Sequence, residues 1–163
     1  MKSRFSHVSG ESTHIPVMLD EVLHALKPEA GGVYVDGTFG AGGYTRAILQ
    51  AADCKVYAVD RDPEAITRAK IMAKEFPGRL FPLQGCFGSV ADLLKTAGLL
   101  RINGLVLDIG VSSIQLAEPA RGFSFRSNGP LDMRMGGSEK TAADVVNTAD
   151  EKSLADILFN YGE

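Results

Sequence analysis

"VYVDGTFGAGGYTRAIL", residues 33–49, decides the fold. It opens on a β-branched and aromatic run ending in Asp36, passes through Gly37, Gly40, Gly42 and Gly43, and continues in a helical pattern. Strand, glycine turn and helix in that order put free backbone N–H groups beside a turn that a ligand can approach closely. A phosphate loop would require G-x-x-x-x-G-K-[ST]. Gly37 and Gly42 have that spacing, but Gly43 and Tyr44 follow and no lysine is there. A dinucleotide turn, G-x-G-x-x-G, needs its third glycine for close helix–strand packing. Gly40 and Gly42 supply the first two, and Thr45 occupies the third place.

Working outward, "PVMLDEVLHALKP" sets Leu19, Val22, Leu23 and Leu26 on one helical face before Pro28. Strands are expected at 32–36, 55–60, 79–85 and 102–108, with Pro82 placing the third at an edge. Between them a helix runs to about residue 52. A second starts with Asp62 as N-cap and Pro63 in its first turn, with Ile66, Ala69, Ala73 and Phe76 as its stripe. A third, over 89–98, turns Val90, Leu93, Leu94 and Ala97 inward and stops at Gly98. This β-α-β-α-β-α-β alternation predicts an α/β fold: a Rossmann-like parallel sheet in the order 3-2-1-4, with the ligand at the carboxyl ends of the strands near the switch point. Three of the four strands end there in aspartate, at Asp36, Asp60 and Asp108, which marks that rim as a binding site.

S-adenosylmethionine suits this rim better than a nucleotide. Its carboxylate fits a helix N-terminus, and Gly42 and Gly43 allow close backbone approach. Asp60, 20 residues after Gly40, is placed to accept hydrogen bonds from both ribose hydroxyls. An acid there also suits NAD, so an NAD-dependent dehydrogenase stands as a second reading.

Residues 109–137 have no sustained period and are too long for an ordinary connection, which marks a functional excursion. Helices are expected at "TAADVVN" and "TADEKSLADILFNYGE", the latter with a Thr148–Glu151 capping box and a stripe of Leu154, Ile157, Leu158 and Tyr161. The 163 residues suffice for one domain; 45% are hydrophobic and 23% charged, a globular composition. Residues 1–13 read as a polar leader without a signal-peptide core. No apolar run approaches a membrane span. Cys54 and Cys86 fit neither a metal spacing nor a disulfide framework, so a reduced, cytoplasmic setting is expected. The net charge of −3 does not advertise nucleic-acid binding, although a local basic strip can serve an acidic protein.

Five stretches, "HIPVMLDEVLHALKP", "VDGTFGAGGYTRAIL", "AVDRDPEAI", "LVLDIGVSSIQL" and "RGFSFRSNGPLDMRM", with the terminal "YGE", resemble the bacterial 16S ribosomal RNA (cytosine-N4)-methyltransferase family over residues 14–163. The resemblance implies a class I methyltransferase fold and methyl transfer from S-adenosylmethionine to a cytidine N4 in the small ribosomal subunit. It implies a cofactor-binding Rossmann-like unit over 14–115 and a loop and helical insertion on the substrate side over 116–163. It also implies that Gly42, Gly43 and Tyr44, the acid Asp60, Phe87 against the adenine, Asp108 and Gln115 hold the methyl donor. Many members carry histidine where Tyr44 stands. The family is longer, with further strands after the insertion, so the chain alone is expected to be inactive, or a non-catalytic cofactor- or RNA-binding fragment. Many amino-methylating enzymes carry a polar residue, two prolines and an aromatic after strand 4; "DIGVSS" has no prolines. Asp108, Ser112 and Ser113 are the polar groups there, and no catalytic base is assigned. In "RGFSFRSNGPLDMRM", Arg121, Arg126 and Arg134 alternate with Phe123 and Phe125. Taken alone, this pattern favours a loop pinned by buried phenylalanines; the resemblance turns it toward RNA contact.

Overall fold

The computed structural model describes residues 16–137 and 140–162, so the leader expected over 1–13 lies outside the described residues. Four parallel strands, β1 (Val33–Asp36), β2 (Lys55–Asp60), β3 (Leu80–Gln84) and β4 (Gly104–Val106), form one sheet in the order β3-β2-β1-β4. This is the expected α/β, Rossmann-like order. The register sets Asp36 beside Ala58 and Val106, and Asp60 beside Gln84, so the carboxyl ends of the strands share one rim. Pro82 lies in an edge strand, where its missing N–H breaks no ladder.

Period-two alternation divides the strand side chains between two cores. On one face Tyr34, Val56 and Ala58 pack with helices α1 (Leu19–Leu26), α2 (Gly43–Ala51) and α3 (Pro63–Met72). On the other, Val35 and Val59 meet Leu94 of α4 (Val90–Thr96). The α1 stripe of Leu19, Val22, Leu23 and Leu26 packs on the first core as its spacing requires, and Lys27 closes the helix in a left-handed conformation. Asp62 caps α3 by accepting from Glu64 N, with Pro63 in the first turn. Ala73 and Phe76 also reach that core, but from the turn after α3.

Several expectations are corrected. The fourth strand is shorter than expected, Gly104–Val106: at its start the Asn103 side chain, rather than a main-chain carbonyl, accepts Val33 N, and at its end Val106 O accepts Gly37 N of the glycine turn. Ala97 is exposed and serves as the C-cap of α4. The excursion contains a five-residue helix, α5 (Ser113–Ala117), and a 3-10 turn at Pro119–Arg121. A division after residue 115 therefore falls inside α5. The last two helices are α6 (Ala142–Thr148) and α7 (Glu151–Tyr161). Thr148 ends α6, with its hydroxyl donating to Asp144 O, and the cap of α7 is Asp150, which accepts from Ser153 N. The stripe of Ile157, Leu158 and Tyr161 is exposed, and α7 buries no residue among those described.

Candidate functional site

A cavity of about 480 Å3 opens at the carboxyl ends of β1, β2 and β4, within the roughly 300–1,000 Å3 of small-molecule sites. Of the seven residues expected to hold a cofactor, six line it: Gly43, Tyr44, Asp60, Phe87, Asp108 and Gln115. Gly42 does not. It is the N-cap of α2 at φ +84, and a β-carbon there would lie 2.6 Å from Met72 Cε and 2.7 Å from Phe39 Cζ. That glycine serves the turn and the packing beneath it.

Local bonds shape the turn. Gly37 N donates to Val106 O and Phe39 N to Val59 O, so the loop is tied to two strands. Gly40 N donates to Asp60 Oδ2 at 2.8 Å, and Asp62 N to Asp60 Oδ1 at 2.9 Å. Each carboxylate oxygen keeps a second lone pair for a ligand hydroxyl. Arg68 of α3 steadies the turn by donating from Nε to Gly40 O at 3.2 Å. At the start of α2 no side chain caps the helix and no acid stands in the first turn. The N–H groups of Gly43 and Tyr44 thus have no intrahelical acceptor and suit an anion.

The aspartates that end β1 and β2 look alike in sequence and differ in place. Asp36 is fully buried beneath the turn, accepting from Thr38 N at 3.2 Å and from the Thr45 hydroxyl at 2.7 Å. Burial pushes its carboxyl up to about 6. It lies outside the cavity lining and acts by holding Thr38 and Thr45. Thr38 in turn accepts Asp108 N at 2.7 Å, which links the turn after β1 to the chain leaving β4. Tyr44 is buried, and this raises its phenol, with the nearby Asp108 charge adding to the effect. Phe87 begins a 3-10 turn after β3 and is partly exposed on the cavity.

Sequence reading missed the partner of Gln115. Its Oε1 accepts Ser112 N at 3.0 Å, and Ser112 Oγ accepts Gln115 N at 3.2 Å, a complete capping box. Its Nε2 donates to Asp62 Oδ2 at 3.1 Å. Gln115 is therefore a bracket between α5 and α3. Ser112-x-x-Gln115 is the sequence signature of that cap, and it is the signal that would have revealed α5. Ser112, as a cap, has its hydroxyl engaged; Ser113 is the first residue of α5.

The aromatic and basic stretch is also divided. Arg121 donates to Asp62, Glu64 and the Arg134 carbonyl, and lies over the Phe123 ring. Arg134 forms a double pair with Asp132, which draws that carboxyl down to about 2. Phe125, by contrast, is 101% exposed, and Arg126 beside it is exposed as well. Among the described residues no three His, Cys, Asp or Glu side chains could hold a metal, and no helix is long and apolar enough to cross a membrane.

Comparison with known proteins agrees with this geometry. The model of the MraW methylase family matches residues 11–163. The chain is 61% identical over 150 residues to ribosomal RNA small subunit methyltransferase H of Rhodospirillum rubrum, covering 92% of this chain and 46% of that protein. It is 61% identical over 152 residues to the same-named protein of Parvibaculum lavamentivorans, covering 93% and 45%. For Hyphomonas neptunium the identity is 60% over 153 residues, covering 94% and 44%. The chain spans about half the length of the curated relatives it matches. With a family model running along nearly all of it, the chain belongs to the MraW methylase family.

Proposed function

We propose that this chain forms the cofactor-binding part of an enzyme that transfers a methyl group from S-adenosylmethionine to the N4 amine of a cytidine in 16S ribosomal RNA. The observation that carries this reading is the meeting of an uncapped helix N-terminus, Asp60 and Phe87 in one cavity. These groups fit the donor. The Gly43 and Tyr44 N–H groups suit its carboxylate, the remaining lone pairs of Asp60 suit a ribose diol, and Phe87 offers a face to adenine. The relatives are named for the small-subunit ribosomal RNA.

When bound, the cofactor supplies an electrophilic methyl group on sulfonium. The cytidine amine is a poor nucleophile because its lone pair is delocalised into the ring. Positioning is therefore the main task of the chain, at about 3–3.5 Å and in line. Of the polar groups after β4, the Ser112 hydroxyl caps α5, whereas the Asp108 carboxylate stands exposed on the cavity. Asp108, the one carboxylate among these groups, is the strongest acceptor there for a hydrogen bond from the amine, with Ser113 also on the cavity lining. Phe125 and Arg126 are the outward groups suited to an unstacked base and a phosphate.

Calorimetric titration should show S-adenosylmethionine or S-adenosylhomocysteine binding in preference to NADH; the reverse order would replace this reading with a dehydrogenase. Labelled methyl should reach cytidine N4 of small subunits when the chain is assayed together with the remaining length found in its relatives. Unlabelled cytidine would remove the substrate.

A further inference from the structure

Asp62 is more than the cap of α3. An N-cap needs one oxygen, and Asp62 Oδ1 fills that role by accepting Glu64 N at 3.0 Å. Its second oxygen is used elsewhere: Oδ2 accepts Gln115 Nε2 at 3.1 Å and Arg121 Nη1 at 3.0 Å. The carboxylate is only 2% exposed; its bond to Gln115 is buried and its bond to Arg121 is partly so. Its backbone N–H is held by Asp60, the acid that faces the cavity.

The two donors come from successive elements of one segment, Gln115 from α5 and Arg121 from the 3-10 turn that follows it. Gln115 fixes the start of α5 through its capping box. Arg121 ties together both limbs of the loop that follows. Its Nη2 donates to Arg134 O at 3.0 Å, and its carbonyl accepts Met133 N at 3.0 Å. The loop is folded closely on itself: a β-carbon at Gly122 would strike Pro130 O, and one at Gly129 would strike Pro119 O. A body of chain from 113 to 134 is therefore fastened to α3 chiefly through the buried Asp62 carboxylate, which takes both donors, while the exposed Glu64 Oε2 accepts from Arg121 Nη1 alone at 3.1 Å.

We propose that Asp62 is a positioning residue that latches this excursion onto the wall of the cofactor cavity, so that filling the cavity and ordering the excursion reinforce each other. The coupling rests on the cofactor reading above. It is reciprocal: whatever the latched excursion adds to cofactor affinity, the cofactor returns as order in the excursion.

Arg121 gives the decisive test because it does not line the large cavity, so an effect on ligand affinity must be transmitted. Hydrogen exchange and calorimetry with S-adenosylhomocysteine are compared for the unaltered chain, Arg121→Gln, Arg121→Lys and Asp62→Asn. Asparagine keeps the cap but turns an N–H2 group toward donors. In Arg121→Gln and Asp62→Asn, amide exchange over 118–134 should quicken at least tenfold, while β1 and β2 hold their protection. Affinity for S-adenosylhomocysteine should fall about fivefold or more, in the range of ordinary coupling between sites. Arg121→Lys, which retains one ion pair, should recover part of both. Unchanged exchange over 118–134 would overturn the latch, as would faster exchange with unchanged affinity or an equal loss of protection throughout the sheet. No binding to the unaltered chain would remove the cofactor reading instead, and the local exchange contrast would then decide the latch by itself.

Discussion

Gly40 and Asp60 stand 20 residues apart and meet in one hydrogen bond of 2.8 Å, from the Gly40 N–H to Asp60 Oδ2. The acid that ends β2 therefore shapes the glycine turn as well as facing the cavity. Asp60→Ala removes the acceptors for the turn and for a ribose diol together. Hydrogen bonds to a charged acceptor contribute about 1.5–3 kcal/mol each, so affinity for S-adenosylhomocysteine should drop at least roughly 10- to 100-fold by calorimetry. An affinity within threefold of the unaltered chain would show that the ligand lies elsewhere.

Gly42 tests how much of the turn is packing. Gly98 has a similar left-handed φ of +79 but nothing within 4 Å of a β-carbon, whereas Gly42 at φ +84 backs onto Phe39 and Met72. Gly98→Ala should cost about 1–2 kcal/mol in urea unfolding, the conformational term alone. Gly42→Ala should cost that and about 1–3 kcal/mol more from overpacking. Equal costs at the two positions would mean that Phe39 and Met72 yield freely.

The sheet order was legible because each strand is bounded by turn residues and each crossover carries its own helical stripe. The cavity was legible for the same reason, since the order 3-2-1-4 fixes where Asp60, Phe87 and Asp108 converge. What the sequence could not separate were like residues in like contexts. Asp36 and Asp60 both end strands, yet the turn folds over one and leaves the other on the cavity. Arg121 and Arg126 share a loop, and the partners that set them apart, Asp62 and Glu64 on α3, lie 59 and 57 residues away from Arg121. Thr148 and Asp150 are both good caps, and the helix break between α6 and α7 chooses Asp150. Five residues of α5 are too few for a period to register.

Asp36 should give stability an inverse dependence on pH. Its carboxyl is raised from 3.8 to about 6, chiefly by burial, with the Asp60 charge adding to this. A raised folded-state value means that the folded chain holds the proton more tightly than the unfolded chain. The stabilisation is complete below about pH 3.8 and is lost as pH rises through about 6. Asp36→Asn keeps the shape and removes the titration. The stability of the unaltered chain relative to Asp36→Asn should therefore fall by roughly 2–2.5 kcal/mol between pH 4 and pH 7. Carboxylates that do not interact with Asp36 cancel in that difference. A flat difference in urea unfolding across the range would show that Asp36 titrates as an ordinary acid.

Phe125 and Arg126 separate RNA contact from loop structure. Phe125 is fully exposed, and Arg126 makes no ion pair among the described residues, so neither Phe125→Ala nor Arg126→Ala should lower the melting temperature measurably. Stacking on one base contributes about 1–3 kcal/mol, so Phe125→Ala should weaken binding of single-stranded RNA roughly 5- to 150-fold. Arg126→Ala should weaken it and reduce the slope of log affinity against log salt by about 0.7, the loss of one phosphate contact on a single strand. Arg134→Ala breaks the pair with Asp132 and should act on stability first, leaving the salt slope nearly unchanged. The opposite pattern, an Arg134 effect on the salt slope with Phe125 and Arg126 silent, would move the RNA path to the other side of the excursion.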